Sequence, residues 1–305
     1  MTAAAAPPSR FGTLVSRAIV TLVSAGGFAG LCWADATGLL AAPPAWWLMP
    51  VAVLLASGAA AEAVRMAADR GLAAPGAFVP AATAAVPLAA VAASHARPAA
   101  GGGPAAIIGW AAVALAAGVG LALVIEVCRY RPGRGSLARV AVAATALTAI
   151  GLPVAFMVGL RLLGGAGGPV GLVPLVSMVA VVKGGDIAAY VIGSLVGRCK
   201  LAPVVSPGKT WEGAAASLVA ALAVAWLILE QSGWSGGRQP WGGWIVYGLA
   251  VGVAGMLGDL SESLVKRELA AKDSGRSLAG LGGFLDLIDA PLVAAPVAWL
   301  LWVLG

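Results

Sequence analysis

Charge is what this sequence has least of. Asp, Glu, Lys and Arg make up 10% of the 305 residues and 60% are hydrophobic, so there is too little polar surface to cover a soluble globule of this size. With a mean hydropathy of +0.95, the chain reads as a polytopic membrane protein. Histidine is almost absent: the single one, His95, follows the third apolar segment and is read as incidental. Cysteine is scarce too. Cys32, Cys128 and Cys199 are scattered, odd in number and without metal-ligand spacing, which excludes a disulfide framework and a zinc site and leaves apolar thiols. No stripe interleaves basic with aromatic residues, which argues against nucleic-acid binding. Gly208-Lys209-Thr210 resembles the tail of a phosphate-binding P-loop, but Pro203 stands where that pattern needs its first glycine. A soluble NTPase therefore fails on spacing.

What is present in quantity is apolar length. Nine segments are long enough to span a bilayer, each needing roughly 20 residues: 13–33, 46–64, 77–95, 105–127, 139–160, 169–197, 212–230, 242–262 and 283–304. The expected fold class is all-α, with about nine transmembrane helices. The first segment also has the shape of a signal peptide, with Arg10 before it and Ala34-Asp35-Ala36 at its end; its apolar run is long, and it is read as a retained span. With the N-terminus inside, Arg97, Arg161 and Arg238 fall on the outer side, Lys183 falls within a span, and the other 15 of the 19 basic residues fall inside. That bias is the positive-inside pattern. The net charge of +6 then reports orientation and an anionic-lipid or phosphate environment. Trp46, Trp47, Trp241 and Trp244 cluster where spans begin and read as interfacial anchors.

The acidic residues are unevenly placed. Only Asp35, Glu62, Asp69 and Glu126 precede residue 168, and the other nine lie from Asp186 onward. An ionised carboxylate at mid-bilayer costs about 2.5–3.5 kcal/mol on insertion scales and is kept mainly where it lines a polar cavity or binds a cation. The chain is accordingly divided into N-terminal transmembrane helices, 1–168, and a C-terminal transmembrane catalytic region, 169–305. Lys183 and Asp186 lie inside the sixth span, and Arg198, Lys200, Lys209 and Glu212 in the loop after it. Asp259 ends the eighth span, Lys266, Arg267, Lys272 and Asp273 follow in the connection, and Asp286 and Asp289 enter the ninth. Asp286 and Asp289 are three apart and share a helical face.

Each feature has a plainer reading. Asp186 could simply pair with Lys183 one turn away, Lys266 and Arg267 could be positive-inside anchors, and Gly282-Gly283 could be only a turn. Their joint arrangement at one end of several spans favours a site for divalent cations and a polyphosphate at the membrane surface.

These residues carry a resemblance to the phosphatidate cytidylyltransferases, also called CDP-diglyceride synthases. The family's signature pattern is matched at its own spacing by Ser263, Lys266, Arg267, Lys272, Asp273, Gly275, Leu278, Gly280, Gly282, Gly283, Asp286 and Asp289. An upstream block is matched by Asp186, Ala189, Tyr190 and Gly193, then by Lys200-Leu201-Ala202-Pro203, Ser206-Pro207 and Lys209 through Gly213. Ala279, Leu281 and Leu287 depart from the pattern, standing where it has Pro, His and Arg.

The resemblance implies that phosphatidate in the bilayer attacks the α-phosphorus of CTP, giving CDP-diacylglycerol and pyrophosphate. It implies Mg²⁺ as cofactor, with a second cation, monovalent or divalent, also compatible with the site. Asp259 and Asp286 would be metal ligands, with Asp289 and Asp186 in supporting ligand roles and Asp273 orienting. Lys209, Lys266, Arg267 and Lys272 would face the triphosphate and the lipid phosphate, with Lys200, Ser206 and Thr210 on the substrate side. Val205 to Gly213 would be a cytoplasmic phosphate-facing loop, Pro207-Gly208 setting its turn and Glu212 beginning the seventh span. The missing imidazole at Leu281 fits this chemistry, because a phosphate monoester with a second pKa of about 6 is already ionised at neutral pH and needs no general base. A homodimer in the cytoplasmic (inner) membrane, its site facing the cytosol, completes the expectation. Two alternatives stay open: a CTP-dependent kinase of a polyprenol-type lipid, and a cation-coupled transporter using Asp186 and Asp259. The transporter would want mid-span carboxylates and an inverted repeat, and the sequence shows no repeat.

Overall fold

A computed structural model describes residues 26–39, 43–72, 74–96, 103–132, 135–163, 169–269 and 283–305. The described chain is a bundle of helices: α1 (26–36), α2 (Met49–Asp69), α3 (Phe78–Ala96), α4 (Pro104–Cys128), α5 (Ser136–Ala146), α6 (Leu152–Leu163), α7 (Val173–Val196), α8 (Trp211–Trp226), α9 (Gly243–Glu268) and α10 (Phe284–Leu304). Seven helical stretches among the described residues are long and apolar enough to cross a membrane, and Phe78–Ala92 is a shorter apolar one. These eight coincide with the second to ninth expected spans. The first lies largely outside the described residues. Helices α5 and α6 form one span through a π-helical turn, Leu147–Gly151, placed just before Pro153, whose ring nitrogen cannot donate to the preceding turn.

Helix α10 holds the bundle together. It packs on α9, α6, α2 and α7, so it touches both halves of the chain. One apolar core joins α6 to α10 around Met178, Val181, Tyr247, Val251 and Ala294, and a second joins α2 to α6 and the start of α10 around Ala56, Ala59, Leu147 and Ile288. Small residues allow the closest approaches. A Cβ on Gly252 would lie 2.8 Å from Ala221 Cβ of α8, and one on Gly258 would lie 2.5 Å from the Asp289 carbonyl oxygen and 2.8 Å from Ala290 Cα. Helices α9 and α10 therefore cross in backbone contact beside Asp259.

Three details depart from the sequence expectation. Arg161, expected in the connection on the outer side just past the fifth span, lies in the last turn of α6 with a fully buried side chain, ion-paired to the equally buried Asp35 of α1; a lone buried guanidinium is untenable, so the two charges are buried together. Helix α9 runs on to Glu268, so Lys266 and Arg267 occupy its last turn, not a connection, because a helix need not stop where its apolar stretch does. The segment after α7 is not a simple loop. It is an antiparallel hairpin of β1 (Lys200–Ala202) and β2 (Ser206–Thr210), pairing Lys200 with Thr210 and Ala202 with Ser206. Its turn is at Pro203–Val205, not at Pro207-Gly208. Those two fall in the irregular part of β2 between the paired positions, where a proline without an N–H is tolerated.

Candidate metal and phosphate site

The hairpin is fastened at its base and its tip. Thr210 caps α8, its hydroxyl oxygen accepting from the Gly213 N–H at 3.1 Å, which satisfies one of the helix's unpaired amides. Glu212 in the first turn of α8 accepts from the backbone N–H groups of Arg198 and Cys199, both at 3.1 Å. At the tip, Arg267 Nε donates to the Val205 carbonyl at 3.2 Å. Lys209 Nζ reaches across from β2 to Asp259 Oδ2 at 2.8 Å. The hairpin is thus tied to the end of α9 that carries the acidic residues.

On α9, Asp259, Glu262 and Lys266 follow at steps of three and four and share one face. That face meets the start of α10. Lys266 pairs with Glu262 at 2.9 Å and with Asp286. Asp286 also accepts from the Gly283 N–H at 2.9 Å, capping its own helix. Asp289 accepts from the Ala290 N–H at 2.7 Å. One carboxylate oxygen from each of Asp259, Glu262 and Asp289 lies within 4.8 Å of the others. Helix α7 brings Lys183 and Asp186, paired at 3.4 Å, into electrostatic reach of Asp289. Asp186 is also within reach of Asp259 and Lys209.

The structure therefore assembles Asp186, Lys209, Asp259, Lys266, Asp286 and Asp289 at one place, with Arg267 holding the hairpin beside them. Asp286 sits on Lys266, next to the three-carboxylate group and not in it. Ser206 is half-buried and Lys200 exposed on the hairpin, and the Thr210 hydroxyl is engaged as a helix cap. Lys272 and Asp273, with Ala279 and Leu281, lie outside the described residues. Glu262 escaped the sequence reading, although its distance of three from Asp259 on a helix was the available signal. Lys183 was seen only as a partner for Asp186.

Crowded carboxylates repel unless a cation or proton sits among them. Three hard oxygen donors on two crossing helices, with lysines around them, suit a divalent ion such as Mg²⁺ that also takes phosphate oxygens. The donor set fits such an ion.

Comparison with known proteins agrees with this chemistry. Residues 16–304 match the profile of the cytidylyltransferase family. A Brucella suis protein named phosphatidate cytidylyltransferase is 43% identical over 136 residues, 43% of this chain and 47% of that protein. Proteins of the same name from Mycobacterium leprae and Haemophilus influenzae are 43% identical over 122 residues and 40% over 127, covering 40% and 41% of this chain and 38% and 44% of theirs. Each of these alignments spans less than half of the relative's length. With nearly the whole chain matched to the family profile, this protein belongs to the cytidylyltransferase family.

Proposed function

We propose that this protein is a phosphatidate cytidylyltransferase, transferring the cytidylyl group of CTP to phosphatidate and releasing pyrophosphate. The observation that carries the reading is the convergence of Asp259, Glu262 and Asp289 within 4.8 Å, ringed by Lys183, Lys209 and Lys266. The relatives' names supply the substrates.

The chemistry joins two anions, so the barrier is dominated by charge repulsion, and catalysis consists of neutralising and aligning them. A phosphatidate phosphate oxygen would attack the α-phosphorus of CTP, and the bond from that phosphorus to the bridging oxygen of pyrophosphate would break. When bound, Mg²⁺ would supply Lewis-acid polarisation of the phosphoryl oxygens and offset the charge of the leaving pyrophosphate. Asp259, Glu262 and Asp289 would hold that ion, with Asp186 and Asp286 beside them. Lys209 and Lys266, now paired with carboxylates, are placed to exchange those partners for phosphate oxygens. Lys183 adds positive charge from α7, and Arg267 keeps the hairpin over the site. In this reading Lys272, Asp273, Lys200 and Ser206 extend the substrate contacts. The positive-inside bias supports a site opening to the cytosol in the cytoplasmic membrane, and the family resemblance supports a homodimer, testable by cross-linking in the bilayer.

The test is purified protein with phosphatidate, Mg²⁺ and CTP labelled at either the α- or the γ-phosphate. The proposal expects α-label in the lipid phase, dependent on both phosphatidate and Mg²⁺. γ-Label in a lipid alcohol would show a kinase instead, and no label in lipid would leave the transporter reading.

A further inference from the structure

A carboxylate far from the site in sequence is built into its support. Glu62 lies in α2, in the half of the chain that carries none of the site residues, and its side chain is fully buried. Its Oε2 accepts from the backbone N–H of Leu285 at 3.0 Å, across 223 residues of sequence. Leu285 is the second residue of α10, where amides have no acceptor within their own helix. A negative group there is also favoured by the helix dipole. One turn earlier on the same face of α2 stands Gly58, and a Cβ added to it would lie 2.6 Å from both Cγ and Cδ2 of Phe284. Gly58 and Glu62 thus form a seat for the first turn of α10: the glycine admits the Phe284 ring and the carboxylate holds the next amide.

Packing alone does not call for this arrangement. Even with the exposed Arg65 guanidinium 3.9 Å from Glu62 Oε1, a fully buried carboxylate in a span is costly. What the seat does is fix the start and rotation of α10 immediately before Asp286 and four residues before Asp289. The second fixed point is the contact of Gly258 with Asp289 and Ala290. Together they set how α10 presents its carboxylates to α9.

We infer that Glu62 is a positioning residue for the cation site, acting through the backbone of α10 and making no contact with the ion; this rests on the cation-binding reading above. Gln at this position keeps an oxygen that accepts from the Leu285 N–H, whereas Leu does not. Full-length protein in detergent would be titrated with Mn²⁺ alone, the free ion being read by electron paramagnetic resonance, and hydrogen exchange would be followed over residues 283–290. Glu62→Leu should speed exchange of the first turn of α10 and weaken Mn²⁺ binding about tenfold or more, the range for residues that orient ligands. The Mg²⁺ concentration for half-maximal turnover should rise with it, while Glu62→Gln stays close to wild type. Gly58→Ala should weaken Mn²⁺ binding as well, and adding Phe284→Ala should recover it by removing the ring that the new methyl displaces.

Unchanged exchange in Glu62→Leu would overturn the seat, whatever the cation does. Faster exchange with unchanged Mn²⁺ binding would overturn the positioning role, and so would a Gln variant as impaired as Leu, which would make the charge itself a ligand. Absence of Mn²⁺ binding in the wild type would instead sink the cation reading, while the exchange data still judge the seat.

Discussion

The two halves of this chain treat the same residue type in opposite ways. In the N-terminal half, each buried carboxylate has its own fixed partner. Asp35 is paired with Arg161, Glu126 takes both Nε and Nη2 of Arg139 at 2.9 and 2.6 Å, and Glu62 holds the Leu285 amide. In the C-terminal half five carboxylates gather at one place: Asp259, Glu262 and Asp289 converge, with Asp186 and Asp286 alongside. The lysines among them span gaps between elements, Lys209 from a hairpin to a helix and Lys266 from α9 to α10. A carboxylate neutralised within the fold contributes structure. Several that share too few cations would, in the function proposed here, take up charge that arrives with a ligand. The contrast predicts that substitutions at the self-contained pairs of Asp35 and Glu126 damage stability, and those at the converging carboxylates damage turnover.

The largest effect should come from the buried pair. Arg161→Leu leaves Asp35 uncompensated in an apolar setting, and removing one member of a buried pair costs about 3–5 kcal/mol. Denaturant titration of the detergent-solubilised protein should show that loss, and the double variant Asp35→Leu with Arg161→Leu should recover most of it. A double variant as unstable as the single one would mean the pair is more than self-neutralising.

Next come the converging carboxylates. Asp259→Asn and Asp289→Asn each remove one anionic donor and should lower turnover by at least about 100-fold, or about 2.7 kcal/mol, with little change in unfolding midpoint. Glu126→Gln should do the reverse, lowering stability while folded protein keeps its rate. Assaying the three variants beside their unfolding curves breaks the comparison if the effects do not separate in this way.

A third substitution probes the join between the halves. Gly258→Ala drives a methyl against the Asp289 carbonyl and Ala290 Cα, where backbone cannot give way cheaply. Overpacking of this kind costs about 1–3 kcal/mol. Because the strain falls on Asp289, the apparent Mg²⁺ requirement should rise too. A methyl on Gly208, which has nothing within 4 Å, is the control and should leave the unfolding midpoint unchanged.

How much of this was legible beforehand follows from the range of each interaction. Spans are set by local apolar length, and eight of them can be read directly from composition along the chain. The acidic skeleton could be found because Asp186, Asp259, Asp286 and Asp289 stand in or at the ends of spans, where a carboxylate is costly unless it lines a polar site. Glu262 needed the helical face of Asp259 to be followed one turn further. The link from Glu62 to α10 could not be found, since beyond its local pair with Arg65 it runs to an amide 223 residues away that carries no side-chain signature. The burial of Arg161 against Asp35 could not be read, because hydropathy marks where a span ends and not what packs beside its last turn. The hairpin was missed because strands of three and five residues containing Pro207 and Gly208 read as a turn.

The smallest expected effect concerns Thr210, whose place in Gly-Lys-Thr suggested contact with substrate phosphate. In the structure its hydroxyl caps α8 at Gly213, its side chain is buried, and a Cβ on Gly193 or Gly213 would lie 3.1 Å from its Oγ1. The neighbouring Lys209 instead faces Asp259. One strand position therefore separates a residue that holds the fold from one that faces the site, which is the contrast between the two halves reduced to adjacent residues. Thr210→Ala should lower stability by about 0.5–2 kcal/mol, the usual cost of losing such a cap, and leave the KM for CTP unchanged in the folded protein. Thr210→Ser keeps the oxygen and should recover most of that loss. Lys209→Ala should instead raise the KM for CTP with little change in midpoint. A Thr210→Ala protein of normal stability but raised KM would return the hydroxyl to the substrate and erase the distinction between the two positions.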